Sequence, residues 1–307
     1  MDANEPEHVP VLLKAVLNLM TFEPGIRMVD ATLGGGGYTR ALLERIGPQG
    51  SLMAFDWDKQ AIERFRERYH EDPVVQQALA ENRLHLLQRP YSELSSALRE
   101  VHWSGVQGIV ADLGLSSLQL DDAERGLSFL VDGPLDMRLN SRETVTAADI
   151  VNHWSRESLA ELFRVYGDEG EALRIAEAVV QTRKRQPLLR TMALADLVKQ
   201  NVVAARRRGR IHPATKVFQA LRMAVNSETE ELKSLLAAIH QELLPFGKCC
   251  IVSFHSGEDG LVKRTFQEWV AQGGWQLITR KPQVPTEDEV LLNPRSRSAK
   301  LRCIQKK

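Results

Sequence analysis

Val29-Asp30-Ala31-Thr32-Leu33-Gly34-Gly35-Gly36-Gly37-Tyr38 is the stretch that decides the fold of this chain. Apolar residues 26–29 end in Asp30, four glycines follow, and a helical pattern occupies 38–46. The order is strand, tight loop, helix start. Glycine tolerates positive φ and lets a ligand approach the main chain, so the loop reads as a cofactor cradle. The dinucleotide fingerprint G-x-G-x-x-G fails on spacing. A first glycine at 34 requires one at 39, which is Thr39, and a first glycine at 35 requires one at 40, which is Arg40. No Gly-Lys-Ser/Thr follows, so the phosphate-binding Walker A loop is excluded as well. A second apolar run, 51–55, ends in Asp56, and an acid at the tip of a second strand is placed to bind ribose hydroxyls. An acid there without the pyrophosphate fingerprint favours S-adenosylmethionine (SAM) over a nicotinamide cofactor. A structural glycine turn in some other α/β protein is the bland alternative.

The alternation continues outward. Strand patterns at 26–30, 52–56, 84–87 and 106–112 are separated by helical patterns at 39–46, 58–70 and 92–101. This predicts a parallel sheet with helices on both faces. Right-handed crossovers bring the strand ends to one edge, so Asp30, Asp56 and Asp112 meet where open α/β sheets bind ligands. Between 121 and 214 no strand pattern occurs, and helical patterns at 158–166, 171–184 and 192–205 dominate. The reading is an inserted all-helical substrate-recognition domain over 121–214, interrupting a discontinuous domain of 1–120 and 215–307. A broken helix over 215–244, a strand at 248–255, a helix at 258–271 and a strand at 275–279 follow. A loop over 281–294 leads to a last strand at 299–305. With no helix between them, the last two strands must pair antiparallel. Five parallel strands plus such a pair make the Rossmann-like α/β sheet of SAM-dependent methyltransferases.

Lys+Arg and Asp+Glu both number 40 in 307 residues, so the formal net charge is zero. No global field draws this protein to nucleic acid; any RNA affinity must come from local patches. No apolar run is long enough to span a bilayer, and residues 1–8 are acidic and polar, unlike a signal peptide. The expected location is the cytoplasm. The three cysteines, Cys249, Cys250 and Cys303, form no metal-ligand spacing, and no metal is expected. Adjacent strand positions send Cys249 and Cys250 to opposite faces.

Asp112-Leu113-Gly114-Leu115-Ser116-Ser117 ends the fourth strand. Asp112 there is placed to hold an exocyclic amine and aim its lone pair at a methyl group, the positioning that such a transfer needs; the alternative is a turn cap. Ser253-Phe254-His255-Ser256 ends the fifth strand, and His255 either contacts a base or phosphate or bonds its own loop. Basic clusters stand at Arg183-Lys184-Arg185, at Arg206-Arg207-Arg208-Gly209-Arg210, and at Arg295, Arg297, Lys300 and Arg302. Such clusters beside a cleft are the footprint of RNA binding, weighed against solvated surface.

These segments together resemble the RsmH (MraW) ribosomal RNA methyltransferases nearly end to end. The shared blocks include His8-Val-Pro-Val-Leu-Leu13, Asp30 to Thr39, Asp112 to Asp121, Glu124-Arg-Gly-Leu-Ser-Phe129 and Asp132-Gly-Pro-Leu-Asp-Met-Arg138. Further along are His212 to Arg222, Asn226-Ser-Glu228, Ser253-Phe-His-Ser256 and Asn293-Pro-Arg-Ser-Arg-Ser298. The resemblance implies SAM-dependent methylation of the N4 amine of a cytidine in the decoding region of 16S rRNA, within the small ribosomal subunit. It implies cofactor contacts at Gly36, Gly37, Tyr38, Asp56, Tyr91, Asp112 and Gln119, with Asp112 the catalytic candidate. RNA contacts are expected at Arg206, Arg207, Arg208, Arg210, His255, Arg295 and Arg297. Tyr38 stands where many members have histidine, and Tyr91 where phenylalanine is common. Gly257 and Gly260 replace the usual leucine and arginine, which should loosen a helix by about 1 kcal/mol each. The segment 167–171 is more acidic than expected beside RNA. Two rivals remain: a SAM methyltransferase acting on another substrate, and a non-catalytic RNA-binding assembly factor.

Overall fold

In a computed structural model, residues 10–140, 143–209 and 211–307 are described. They fall into two compact units, one of residues up to Gly114 together with Glu231–Lys307, the other Leu115–Glu230.

The first unit is built on a seven-stranded sheet: β1 (Arg27–Asp30), β2 (Ser51–Asp56), β3 (Leu84–Gln88), β4 (Val106–Asp112), β5 (Leu243–Ser253), β6 (Trp275–Leu277) and β7 (Lys300–Lys306). The order is β3-β2-β1-β4-β5-β7-β6. β1 to β5 pair in parallel, and β7 runs antiparallel to both β5 and β6. This is the Rossmann-like α/β arrangement expected from the strand rhythm. Strands buried on both faces read as continuous apolar runs, as Leu52–Phe55 and Ile109–Ala111 do. Their side chains still alternate: Val110, Cys250 and Val252 pack on one face with Leu42 and Leu43, while Ile109, Cys249 and Ile251 pack on the other with Leu94, Ile239 and Phe266. Each such side chain contributes about 1.5–3 kcal/mol. Burial pushes the Cys249 and Cys250 thiols up, so both are inert apolar fillers.

Several boundaries differ from the sequence reading. The helix expected over 58–70 stops at Arg68, and a second one, Pro73–Ala80, starts at Asp72, whose carboxylate accepts from Val74 N and Val75 N. β5 begins at Leu243 because a bulge opposes Val106–Gly108 with Leu243–Lys248; Pro245 and Gly247 hide that extension from pattern reading. The 281–294 loop contains a short helix, Glu287–Leu292, started by the Thr286 hydroxyl accepting from Glu289 N. The broken helix expected over 215–244 is present as two, Ala214–Val225 and Glu228–Glu242, separated at Ser227 with φ 49°.

The second unit is helical: Ala147–His153, Arg156–Val165, Ala172–Arg183, Thr191–Gln200 and Ala214–Val225 surround a core that includes Phe163, Ile175, Leu194, Phe218 and Leu221. Because Ala214–Val225 buries its apolar side in this core, the unit extends past 214, to Glu230. Two of the sequence blocks cross here at backbone contact. A Cβ on Gly126, at φ 64°, would lie 2.0 Å from the Pro134 carbonyl oxygen. Met137 N donates to Arg125 O at 2.9 Å. Buried Asn226 then ties the crossing to its own helix: its amide donates to Met137 O (2.8 Å) and Arg222 O (2.9 Å), and its oxygen accepts Leu139 N (2.8 Å). No helix among the described residues is long and apolar enough to cross a membrane.

Candidate active site at the carboxyl edge of the sheet

The loop after β1 is knitted to both neighbouring strands. Ala31 N donates to Val110 O, Leu33 N to Phe55 O, and Asp112 N to the Thr32 hydroxyl, at 2.7–2.8 Å. Asp30 is fully buried and committed: it accepts Thr32 N (3.1 Å) and the Thr39 hydroxyl (2.6 Å). Burial lifts its pKa to about 7.

The glycine loop then turns into the helix α1 (Gly37–Ile46) with Gly36 at φ 79°. A Cβ on Gly36 would stand 2.1 Å from the Phe65 ring, whereas one on Gly35 meets nothing within 4 Å. One glycine is therefore demanded by packing and its neighbour faces open space. α1 has no side-chain cap and no acid in its first turn, so its first N–H groups and positive dipole end await other acceptors. Asp56 shapes the loop from below, accepting Gly34 N (2.8 Å) on one oxygen and Asp58 N (2.9 Å) on the other. Burial raises its pKa to about 6. Each carboxylate oxygen has a second acceptor site, so Asp56 retains capacity for hydroxyl donors. Tyr91 is buried and stands edge-on to Trp57, with ring centroids 6.0 Å apart.

Asp112 is the least satisfied of the three strand-end acids. Its carboxylate accepts Gly114 N at 3.1 Å. Burial, with smaller contributions from Asp30 and Glu258, raises its pKa to about 7. A half-buried carboxylate with spare acceptor capacity and a near-neutral pKa fits an acceptor of amine protons.

Other expected site residues are placed differently. The Tyr38 ring is buried in the core and its hydroxyl donates to Val11 O, so only its main chain is left to a ligand. Gln119 lies in the helical unit, where it completes a capping box with Ser116. His255 caps the helix α2 (Ser256–Gln272), its Nδ1 accepting Glu258 N at 3.4 Å and its Nε2 lying 3.0 Å from the Glu258 carboxylate. Its ring serves its own helix start rather than a base. α2 runs through Gly257 and Gly260 unbroken, with Glu258 and Asp259 in its first turn favouring its dipole.

The basic clusters separate sharply. Arg206 grips Glu169, whose side chain is fully buried, and Glu171 at 2.9 Å; this is the partner of the unexpectedly acidic 167–171 segment. Arg207 donates to the carbonyls of Gln200 and Val202, closing the end of its neighbouring helix. Both guanidinium groups are engaged within their own unit. Lys300 and Arg302 pair with Asp259, Arg302 at 2.6 Å. Arg208, Arg295 and Arg297 are exposed, the last two on the turn Pro294–Ser298; Arg210 lies outside the described residues. Thr32 and Glu289 were missed by sequence reasoning; Thr32 sits inside the loop motif, but nothing local marks Glu289.

The sequence matches the MraW methylase family over residues 5–307. It is 42% identical over 315 residues to the ribosomal RNA small subunit methyltransferase H of Syntrophobacter fumaroxidans, covering 98% of this chain and 96% of that one. It is 43% identical over 306 residues to the protein of the same description from Desulfotalea psychrophila, covering all of both. Among solved structures it is similar to an rRNA methylase from Streptococcus thermophilus, with a TM-score of 0.41 and 10% identity, covering 96% of this chain and 93% of that one.

Proposed function

The chain belongs to the MraW methylase family, and from that premise we propose that it transfers a methyl group from SAM to the N4 amine of a cytidine in the decoding region of 16S rRNA. The observation that carries the reading is the trio of loop, ribose acid and amine acceptor on one sheet edge: Gly34–Gly37, Asp56 and Asp112.

The residues present fit SAM. Gly35 leaves room beside the main chain, and the uncapped start of α1 suits the carboxylate of the methionyl moiety. Asp56 retains acceptor capacity for ribose hydroxyls, and Tyr91 offers an aromatic surface for adenine. SAM supplies an electrophilic methyl on its sulfonium. Asp112 accepts an N4 hydrogen and aims the nitrogen lone pair, a positioning effect worth several kcal/mol of barrier. As the nitrogen bonds carbon, its surplus proton becomes strongly acidic, and a carboxylate of pKa near 7 is suited to take it. An exocyclic amine needs no covalent activation of the ring, and the three buried cysteines stay outside the chemistry.

In this reading Leu115–Glu230 recognises the RNA, and Arg208, Arg295 and Arg297 take phosphates. A target nucleotide leaving its stack costs a few kcal/mol, least in a single-stranded loop. Incubating purified small subunits with labelled SAM and mapping the modified nucleotide tests the proposal. Label at a cytidine N4 of the decoding region supports it. Label elsewhere makes the enzyme a methyltransferase of another target, and absent SAM binding by calorimetry makes it an assembly factor.

A further inference from the structure

The short helix Glu287–Leu292, here α3, has a contact that neither the cofactor site nor the core explains. Glu289 Oε1 accepts the backbone N–H of Leu12 at 2.5 Å. One residue earlier, the Val11 carbonyl accepts the Tyr38 hydroxyl from α1. Leu12 itself stands at φ 58°, a left-handed conformation that leucine rarely adopts. Val11 and Leu12 are both buried, so without Glu289 the Leu12 N–H becomes an orphaned buried donor. The cofactor-loop helix, the segment at 11–12 and α3 are thus fastened at one place.

That place adjoins the cofactor-loop helix through the Tyr38 hydroxyl. Burial chiefly holds the Tyr38 phenol's pKa high, with smaller contributions from the charges of Asp112, Asp30 and Glu289. α3 runs directly into the turn Pro294–Ser298, which carries exposed Arg295 and Arg297. The turn is internally rigid: the buried Ser296 hydroxyl donates to Asn293 O, and Ala299 N to Ser296 O, both at 2.7 Å. The turn is held at its far end by buried Ala299, which leads into β7, so what holds α3 fixes its other end. Guanidinium groups at such a place suit phosphate oxygens, and SAM has no phosphate.

We infer that Glu289 is a positioning residue for the RNA substrate. By holding the Leu12 N–H it fastens α3 to the segment bonded to α1, and with it sets Arg295 and Arg297, which bind backbone phosphates of the RNA. The inference rests on the RNA methyltransferase reading above.

The test compares Glu289→Ala with Glu289→Gln, which keeps an acceptor oxygen for Leu12 N–H. With small subunits as substrate, Glu289→Ala should raise KM for the subunit about tenfold, while kcat and the SAM Kd stay within about twofold. Its rate should also depend less steeply on salt, since fewer phosphates are neutralised. Glu289→Gln should return KM to within about twofold of the unaltered protein. An unchanged KM in Glu289→Ala, equal defects in both variants, or a defect confined to SAM binding overturns the inference. Hydrogen exchange at Leu12 and across 290–293, measured without RNA, separates the two readings. Faster exchange in Glu289→Ala alone is expected, and unchanged protection overturns the inference whether or not the protein methylates subunits. If the unaltered protein leaves subunits unmethylated while that exchange responds as expected, the functional reading fails and the fastening stands.

Discussion

Asp112→Asn should stabilise this protein at alkaline pH while disabling it. The Asp112 pKa rises from 3.8 to about 7 in the folded chain, mainly through burial. An acid with a raised folded pKa binds its proton more tightly folded than unfolded. Its folding stability is full below about pH 4, falls as pH rises toward 7, and stays low above that. A shift of about three units is worth at most ~4 kcal/mol at 1.36 kcal/mol per unit. Asparagine keeps an oxygen for Gly114 N but brings an amide with no assured partner, which returns about 1–2 kcal/mol. The net expectation is a gain of about 1–3 kcal/mol at pH 8, or roughly 2–12 °C in Tm at about 2–4 °C per kcal/mol, shrinking to nothing or reversing by pH 4. Turnover should fall at least about a hundredfold, the usual contribution of a positioned proton acceptor. Calorimetric scans of both proteins from pH 4 to 8, with methyl transfer measured at pH 8, provide the check. A Tm difference that does not change with pH, or activity within a few-fold, would refute the reasoning.

Other perturbations test the architecture around it. Gly36→Ala forces a methyl to within 2.1 Å of the Phe65 ring at φ 79°, so stability should drop by about 2–3 kcal/mol; SAM affinity by calorimetry should fall at least tenfold as the loop moves. Arg206→Ala leaves the buried Glu169 carboxylate without its main partner. Breaking such a pair costs about 3–5 kcal/mol when fully buried, and about 2–3 here because Arg206 is a third exposed; thermal denaturation should record that loss while RNA affinity at low temperature changes little. Arg206 also holds the Glu169 pKa below its usual value, so this stabilisation should be lost as pH falls through that acid's folded pKa. Asn226→Ala removes both donors and the acceptor that tie Met137 and Leu139 to their helix, costing about 2–3 kcal/mol in urea denaturation.

The loop, the alternation of strand and helix and the three strand-end acids were legible because each is local: glycines after an apolar run, an acid where the run stops. Their differences were not legible. Asp30, Asp56 and Asp112 occupy equivalent places in the pattern, and only folding shows that Thr39 closes Asp30 while Asp112 keeps acceptor capacity. The basic runs were opaque for a related reason. A run of arginines looks uniform, yet Arg206 finds its carboxylates 35 and 37 residues away, and Arg207 turns back on the end of the preceding helix. The end of the helical unit was misplaced because an amphipathic helix such as Ala214–Val225 does not declare which core receives it. Glu289 was invisible because its partner is a backbone N–H 277 residues earlier, and a main-chain donor leaves no mark in a sequence.

The three raised carboxylates have a consequence for ligand exchange. Near neutral pH, Asp30, Asp56 and Asp112, with pKa values of about 7, 6 and 7, hold a fractional load of protons. In the proposed reading, a sulfonium cation brought to that edge would favour their ionised forms and expel part of the load, so SAM uptake should exchange protons for a cation. Its measured binding enthalpy should vary with the ionisation enthalpy of the buffer. After methyl transfer the sulfur is neutral, the same edge draws its protons back, and the demethylated product loses the attraction that held its precursor. The acids that would pull the donor in would thus also help the spent cofactor to leave.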